Sequence, residues 1–136
     1  MTLQILLVDD DQDDLFLARK ALDRDGLAYA MDHVPNGEQA LAFLRRQPPF
    51  SSAHKPDVIL LDINMPRMGG LETLRAIRLD PALRSIPVIM LTTSDADRDV
   101  LESHQQGALA YYRKPLRGKE LALVLRNVLS LPGAAG

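Results

Sequence analysis

Asp9 and Asp10 follow a short apolar run, Asp62 ends a second, Thr92 a third, and Lys114, followed by Pro115, comes after a fourth. Three carboxylates gathered within a few ångströms cannot all ionise cheaply unless a cation neutralises them, and a hard divalent ion with oxygen ligands does so. Mg²⁺ fits that donor set best. A hydroxyl and an ammonium on the far side of the cluster would complete what a transferring phosphoryl group needs around its oxygens. Asp62 is then the expected nucleophile. Each residue taken alone has an ordinary explanation: aspartates after strands cap helices or form turns, Thr92 before Thr93 and Ser94 reads as a cap, and a lone lysine is a solvated surface group. Capping does not explain why acids, a hydroxyl and a lysine succeed one another at the ends of successive apolar runs.

These positions matter only if folding brings them together. Runs rich in Val, Ile and Leu recur, each followed by helical periodicity, which argues for βαβ units and a parallel sheet. Residues 3–8 read as a buried first strand, and 13–24 as a helix with Leu15, Ala18 and Leu22 on one face, ended by Gly26. A weaker strand over 29–34 precedes a turn at Asn36 and Gly37 and a helix carrying Ala40, Leu41 and Leu44. Residues 47–56, with three prolines and two serines, form a long loop.

The run 58–61 is the most apolar, so it belongs at the centre of the sheet, covered on both faces, and it stops at Asp62. After a turn at 65–70, Leu71, Leu74 and Ile77 mark a third helix, and Pro81 and Pro87 bracket the passage to a strand at 88–91. Residues 97–106 are helical by propensity but have little to bury, and a loose anchorage is expected. A fifth strand covers 109–112. A last helix spans 119–129, where Leu121, Val124, Leu125, Val128 and Leu129 occupy about half the helical wheel. Residues 132–136 should be a disordered tail. In an open parallel sheet the carboxyl ends of the strands meet at the crevice where strand order reverses, and all five polar residues fall at such ends.

The chain has 136 residues, the size of one domain, and a net charge of −2 with a pI near 5.9. Its Lys and Arg are scattered, which gives no basic footprint for nucleic acid. Without cysteine there is neither a disulfide framework nor a thiolate zinc site, and the composition is compatible with a reducing cytoplasm, the expected location. The apolar run at 5–8 lacks a basic flank and is far too short for a signal peptide or a membrane span.

The segments ILLVDDD, VILLDINMPRMGG, PVIMLTTSD and ALAYYRKP together resemble the receiver domain of two-component signalling, from about residue 3 to residue 129. The resemblance implies a doubly wound, flavodoxin-like α/β fold: five parallel strands in the order 2-1-3-4-5 with helices on both faces, a receiver domain over 1–131. It implies that Asp62 accepts a phosphoryl group from a sensor histidine kinase, and that Asp9, Asp10, Asp62 and the backbone carbonyl of Asn64 hold Mg²⁺. Thr92 and Lys114 would contact the phosphoryl oxygens, with a cis bond from Lys114 to Pro115 aiming the ammonium inward. Thr92 and Tyr111 would form the switch, Tyr111 turning inward as Thr92 moves toward the phosphoryl group. Asn64 and Ser94, each two residues past a site residue, would orient or obstruct the water that removes the phosphoryl group. The long proline-containing loop and the RKP ending are similar to the single-domain regulators paired with bacterial phytochrome kinases.

No output domain is expected after Leu131, so signalling should pass through a surface to a downstream phosphotransfer or target protein. The wide apolar arc of the last helix raises the expectation of a homodimer through that helix or the last strand. Beyond intrinsic gain and loss of the phosphoryl group, no enzymatic activity is expected. One competing reading is a phosphohydrolase of the haloacid dehalogenase type, which needs a second acid two residues after the nucleophile, where this chain has Asn64. Another is a pseudo-receiver that binds without being phosphorylated, against which the full set of five polar residues argues. His33, His54 and His104 fall at spacings that suggest neither a metal site nor a triad, and read as structural or solvated. The acids at Asp11, Asp13 and Asp14 suit the start of the first helix, where the dipole favours negative charge.

Overall fold

Apolar residues alternate across each strand between two separate cores, and that alternation sets the architecture of the computed structural model. Residues 2–65, 67–92, 102, 105, 107–114 and 120–129 are described, the side chain of Val128 excepted. The strands are β1 (Leu3–Val8), β2 (Tyr29–Val34), β3 (Val58–Asp62), β4 (Val88–Thr92) and β5 (Ala110–Arg113). The helices among the described residues are α1 (Gln12–Asp25), α2 (Gly37–Leu44), α3 (Gly70–Leu79) and α4 (Glu120–Val128). All pairings are parallel, and the sheet order is β2-β1-β3-β4-β5, the doubly wound order expected.

Leu6, Val8, Ile59, Leu61, Val88 and Met90 face one core, with Ala40 and Phe43 of α2 and Leu74 and Ile77 of α3. Ile5, Leu7, Val58, Leu60, Ile89 and Leu91 face the other, with Ala18 and Leu22 of α1 and Leu121, Ala122 and Leu125 of α4. A strand covered on both faces needs apolar residues at both parities. β3, between β1 and β4, is buried along its whole length.

Local chemistry fixes the helix ends. Asp11 caps α1, its side chain accepting from the Asp13 N–H at 2.9 Å, and Gly26 ends the helix at φ 79°, a left-handed conformation that glycine adopts without penalty. Asn36 caps α2 through the Gln39 N–H at 2.8 Å. α3 starts hard against the end of β3: the Gly70 N–H donates to the Ile63 carbonyl at 2.9 Å, and a Cβ at Gly70 would stand 2.1 Å from the Asp62 carbonyl oxygen.

Three expectations shift. The last strand begins at Ala110 rather than at 109, and Leu109 is half-exposed. Of the broad arc assigned to the last helix, the sheet covers Leu121 and Leu125, together with Ala122 outside it, while Val124 and Leu129 are only partly buried. Asn36 and Gly37 form the cap and first residue of α2 rather than a separate turn. Of the helix expected at 97–106, only Glu102 and Gln105 are described, and both are helical. His104, the boundary at 131 and the 132–136 tail lie outside the described residues.

Candidate functional site

Strand register brings the polar residues together. Val8 pairs with Leu61, so the next rung sets Asp9 beside Asp62. Asp62 pairs with Leu91, which puts Thr92 one step beyond, and Thr92 pairs with Arg113, which puts Lys114 one step beyond that. Backbone bonds carry the ladders past the strand ends: Asp9 N–H to Val34 (3.1 Å), Ile63 N–H to Leu91 (2.9 Å) and Lys114 N–H to Thr92 (2.7 Å).

Asp9 is fully buried, Asp62 is buried, and Asp10 is exposed at the rim. One carboxylate oxygen from each of the three lies within 4.8 Å of the others. Asp62 is held at both oxygens: Oδ1 accepts from the Asn64 N–H at 3.2 Å, and Oδ2 lies 3.2 Å from Lys114 Nζ. Asn64 itself is exposed. Thr92 is fully buried at the end of β4. Tyr111 is partly buried against the α2–α3 core, whereas Tyr112 belongs to the opposite core and donates its hydroxyl to Glu120 Oε2 at 3.1 Å. Ser94, Pro115 and the Lys114–Pro115 bond lie outside the described residues.

The ammonium is not on the far side of the acids, as the sequence led one to expect, but among them. Lys114 Nζ lies 2.7 Å from Asp9 Oδ2, 2.5 Å from Asp14 Oδ2 and 3.2 Å from Asp62 Oδ2. The reason is parity. Continuing the strand alternation, Asp9, Asp62 and Lys114 fall on the sheet face covered by α1. The buried stripe of α1, Asp14, Ala18, Ala21 and Leu22, starts with a carboxylate at that end.

Burial drives the electrostatics. Desolvation, reinforced by the neighbouring carboxyl of Asp14, raises Asp9 from 3.8 to about 7 against the pull of Lys114. Burial likewise raises Asp62, with Lys114 and the Asn64 N–H opposing it. Burial also works against the charge of Lys114, but Asp14, Asp9 and Asp62 outweigh it and hold the ammonium protonated well above its usual range. Three carboxylates thus surround one ammonium, with Asp10 a fourth acid at the rim, and the contact with Asp9 is ionic, leaving its Oδ2 buried without a well-formed hydrogen bond. A notch with more carboxylates than cations and carboxylate oxygens clustered within 4.8 Å of one another fits a hard divalent cation.

Two features differ from the sequence expectation. Asp14 does more than suit the helix dipole: its spacing four residues before Ala18 puts it on the buried face of α1. His33 is structural as expected, but its partner is the site backbone: Nε2 lies 2.6 Å from the Asp9 carbonyl oxygen, so that nitrogen carries the proton. His54 is exposed. Asp11 serves as the α1 cap rather than as a member of the acid cluster.

Residues 5–126 match the response regulator receiver domain family. The chain is 33% identical over 126 residues to the response regulator Rcp1 of Synechocystis sp., covering 93% of this chain and 86% of Rcp1. The Mn²⁺-bound form of Rcp1 superposes with a TM-score of 0.77 at 32% identity, over 94% of this chain and 90% of that one. The bacteriophytochrome response regulator RtBRR superposes at 0.84 with 39% identity, over 100% of this chain and 82% of that one. The phosphorylated cyanobacterial phytochrome response regulator RcpA does so at 0.79 with 32% identity, over 96% and 91%. With its polar residues at the family's strand ends and its match running nearly end to end, the chain belongs to the response-regulator receiver domain family of two-component signalling.

Proposed function

We propose that this receiver takes a phosphoryl group onto Asp62 from the phosphorylated histidine of a sensor kinase and passes the signal on by a change of shape. The observation that carries the reading is the contact of Lys114 Nζ with Asp62 Oδ2 at 3.2 Å, inside an acid notch whose oxygens lie within 4.8 Å of one another. Asp9, Asp10, Asp62 and the Asn64 carbonyl would hold Mg²⁺. When bound, the ion would offset the repulsion between two anions and the charge spread over the equatorial oxygens. A carboxylate oxygen of Asp62 attacks phosphorus in line, the P–N bond to the donor imidazole breaks, and the leaving imidazole takes a proton. Lys114 and the Thr92 hydroxyl bind the phosphoryl oxygens. Asn64 and Ser94 govern access of the water that reverses the reaction.

Thr92 and Tyr111 carry the conformational change, Tyr111 lying partly buried against the α2–α3 core. Apart from acquiring and losing its own phosphoryl group, the chain acts as a signal carrier and not as an enzyme. Likeness to the phytochrome response regulators RtBRR and RcpA supports a bacterial phytochrome kinase as donor, in the cytoplasm. No helix of the described residues is long and apolar enough to cross a membrane. Leu123 on α4 and Leu109 before β5, both more than half exposed, support a homodimer through the last helix and strand, with a phosphotransfer or target protein as the later partner.

Intact mass after incubation with acetyl phosphate and Mg²⁺ tests the reading. A labile phosphoryl adduct, absent in Asp62→Asn, is expected. No adduct would leave a pseudo-receiver, and steady turnover of phosphate monoesters would mean a hydrolase. Light scattering with and without phosphorylation tests the dimer, which a strict monomer at high concentration would remove.

A further inference from the structure

We propose that Asp14 is a positioning residue for Lys114: it pairs the ammonium with a carboxylate outside the oxygen cluster, so that Lys114, which here also reaches Asp9 and Asp62, can yield those two to a cation and keep a partner. This rests on the phosphoacceptor reading above and adds a residue to it.

Three acids share the ammonium, but they are not equivalent. Asp9 and Asp62 belong to the oxygen cluster suited to a cation, and Asp14 does not. Asp14 also makes the shortest contact, with Oδ2 2.5 Å from Nζ as an acceptor, whereas Asp62 is at 3.2 Å. Both ends of that pair are about nine-tenths buried, so water screens the attraction poorly. Asp14 is rigidly mounted in the first turn of α1, with Ala18, Ala21 and Leu22 fixing the helix face against the sheet. The Lys114 backbone is tied to Thr92 at 2.7 Å, so both ends of the pair are anchored in secondary structure.

Consider the notch without the Asp14 charge. The ammonium would keep Asp9 and Asp62 as its only strong partners and settle between them, where it would compete directly with a divalent ion. With Asp14 present, one carboxylate remains with the ammonium after a cation has claimed the other two. Lys114 then stays at the edge of the notch, facing Asp62, where an incoming phosphoryl oxygen would meet it.

The test is Mn²⁺ affinity by calorimetry on the full chain, so that binding is read apart from phosphorylation. Asp14→Asn should weaken Mn²⁺ about tenfold. The same substitution made in Lys114→Met or Lys114→Gln should weaken it less than threefold, because no ammonium is left to compete. Two neutral backgrounds are used so that a folding failure in one leaves the comparison intact, and circular dichroism checks each. An equal loss in all backgrounds would mean that Asp14 acts only as remote charge, and no loss in the wild-type background would mean that it does not act at all. Either result overturns the proposal. A wild-type chain that takes up no Mn²⁺ would instead sink the metal-dependent reading beneath it, and the proposal would fall with it.

Discussion

Replacing Gly70 by alanine should damage the fold and the site together, while the same change at Gly69 should do almost nothing. A Cβ built on Gly70 lies 2.1 Å from the Asp62 carbonyl oxygen, 2.7 Å from Ile63 Cα and 2.8 Å from the Asp62 carbonyl carbon. A normal carbon-to-oxygen approach is about 3.3 Å, so the overlap is on the order of 1 Å. All three neighbours are backbone, so no rotamer change relieves it, and either the start of α3 or the end of β3 must move. Overpacking of this kind costs about 1–3 kcal/mol, and a clash against backbone belongs at the upper end. Better helix propensity returns roughly 0.5–1 kcal/mol, leaving a net loss of about 2 kcal/mol and a midpoint lower by about 5–10 °C for a chain of this size.

At Gly69 the nearest atom to an added Cβ is the Ile63 carbonyl oxygen at 3.6 Å, an ordinary contact, and φ is −72°, which any residue adopts. Its alanine variant should stay within about 0.5 kcal/mol of wild type, the weaker cap being offset by a less flexible unfolded chain. Urea unfolding followed by circular dichroism measures both. Equal losses at the two positions, or a Gly70→Ala variant as stable as wild type, would refute the argument that α3 is docked against the Asp62 backbone.

Arg78 spans three carbonyls, donating to Gly107 (2.9 and 3.2 Å), Arg84 (2.7 Å) and Ile86 (3.0 Å). Arg78→Ala should cost about 2–3 kcal/mol in urea unfolding, and Arg78→Lys should recover less than half, because an ammonium lacks the planar fork; full recovery would contradict this. Burial and then the hydrogen bond to Asp23, at 2.7 Å, hold the Tyr29 phenol up at about 12. Its contribution to stability is therefore complete below about pH 10 and is lost as pH rises through 12. In an absorbance titration Tyr29→Phe should remove a late-ionising component; a difference curve between wild type and variant centred near 10 would count against it. Asp9 is also raised, to about 7, so in chelator its contribution is complete below about pH 4 and disappears as pH rises through 7. Asp9→Asn should accordingly stabilise the metal-free chain at pH 8 by an amount on the order of a few kcal/mol, with the gain fading by pH 4; a gain independent of pH would mean that burial of the charge is not the cause.

Strands could be read from sequence because a sheet covered on both faces demands uninterrupted apolar runs, and β1 and β2 fall on the expected residues. The start of β5 was less determinate: Ala108 to Tyr112 is apolar throughout, and composition does not say which residue makes the first pairing. Asp9, Asp62, Thr92 and Lys114 are legible because an open parallel sheet gathers its site at the carboxyl ends of the strands. A partner contributed by a helix carries no such mark. Asp14 and Asp13 look alike as first-turn acids; the spacing to Ala18 puts Asp14 on the buried face, but only docking of α1 sets it on Lys114, whereas Asp13 is exposed and lends its N–H to the Asp11 cap. The same docking explains Asp25 at the other end of that helix, held by Arg126 of α4 at 2.5 Å. The contact of His33 with Asp9 likewise depends on β2 lying beside β1, a relation between strands that no local pattern encodes.

The acid notch begins where the two cores end. Val8, Leu61 and Leu91 are fully buried apolar residues, and the next residue of each run is Asp9, Asp62 or Thr92, also nearly or fully buried. Because side chains alternate, a slip of one residue between β1 and β3 would turn apolar residues of both strands toward the wrong core. It would also put Asp10 or Val8, in place of Asp9, beside Asp62. The apolar runs thus fix the register that assembles the charges, and the fold tolerates the charges because they sit on its last rung, where the ammonium of Lys114 reaches them and an ion can enter from solvent.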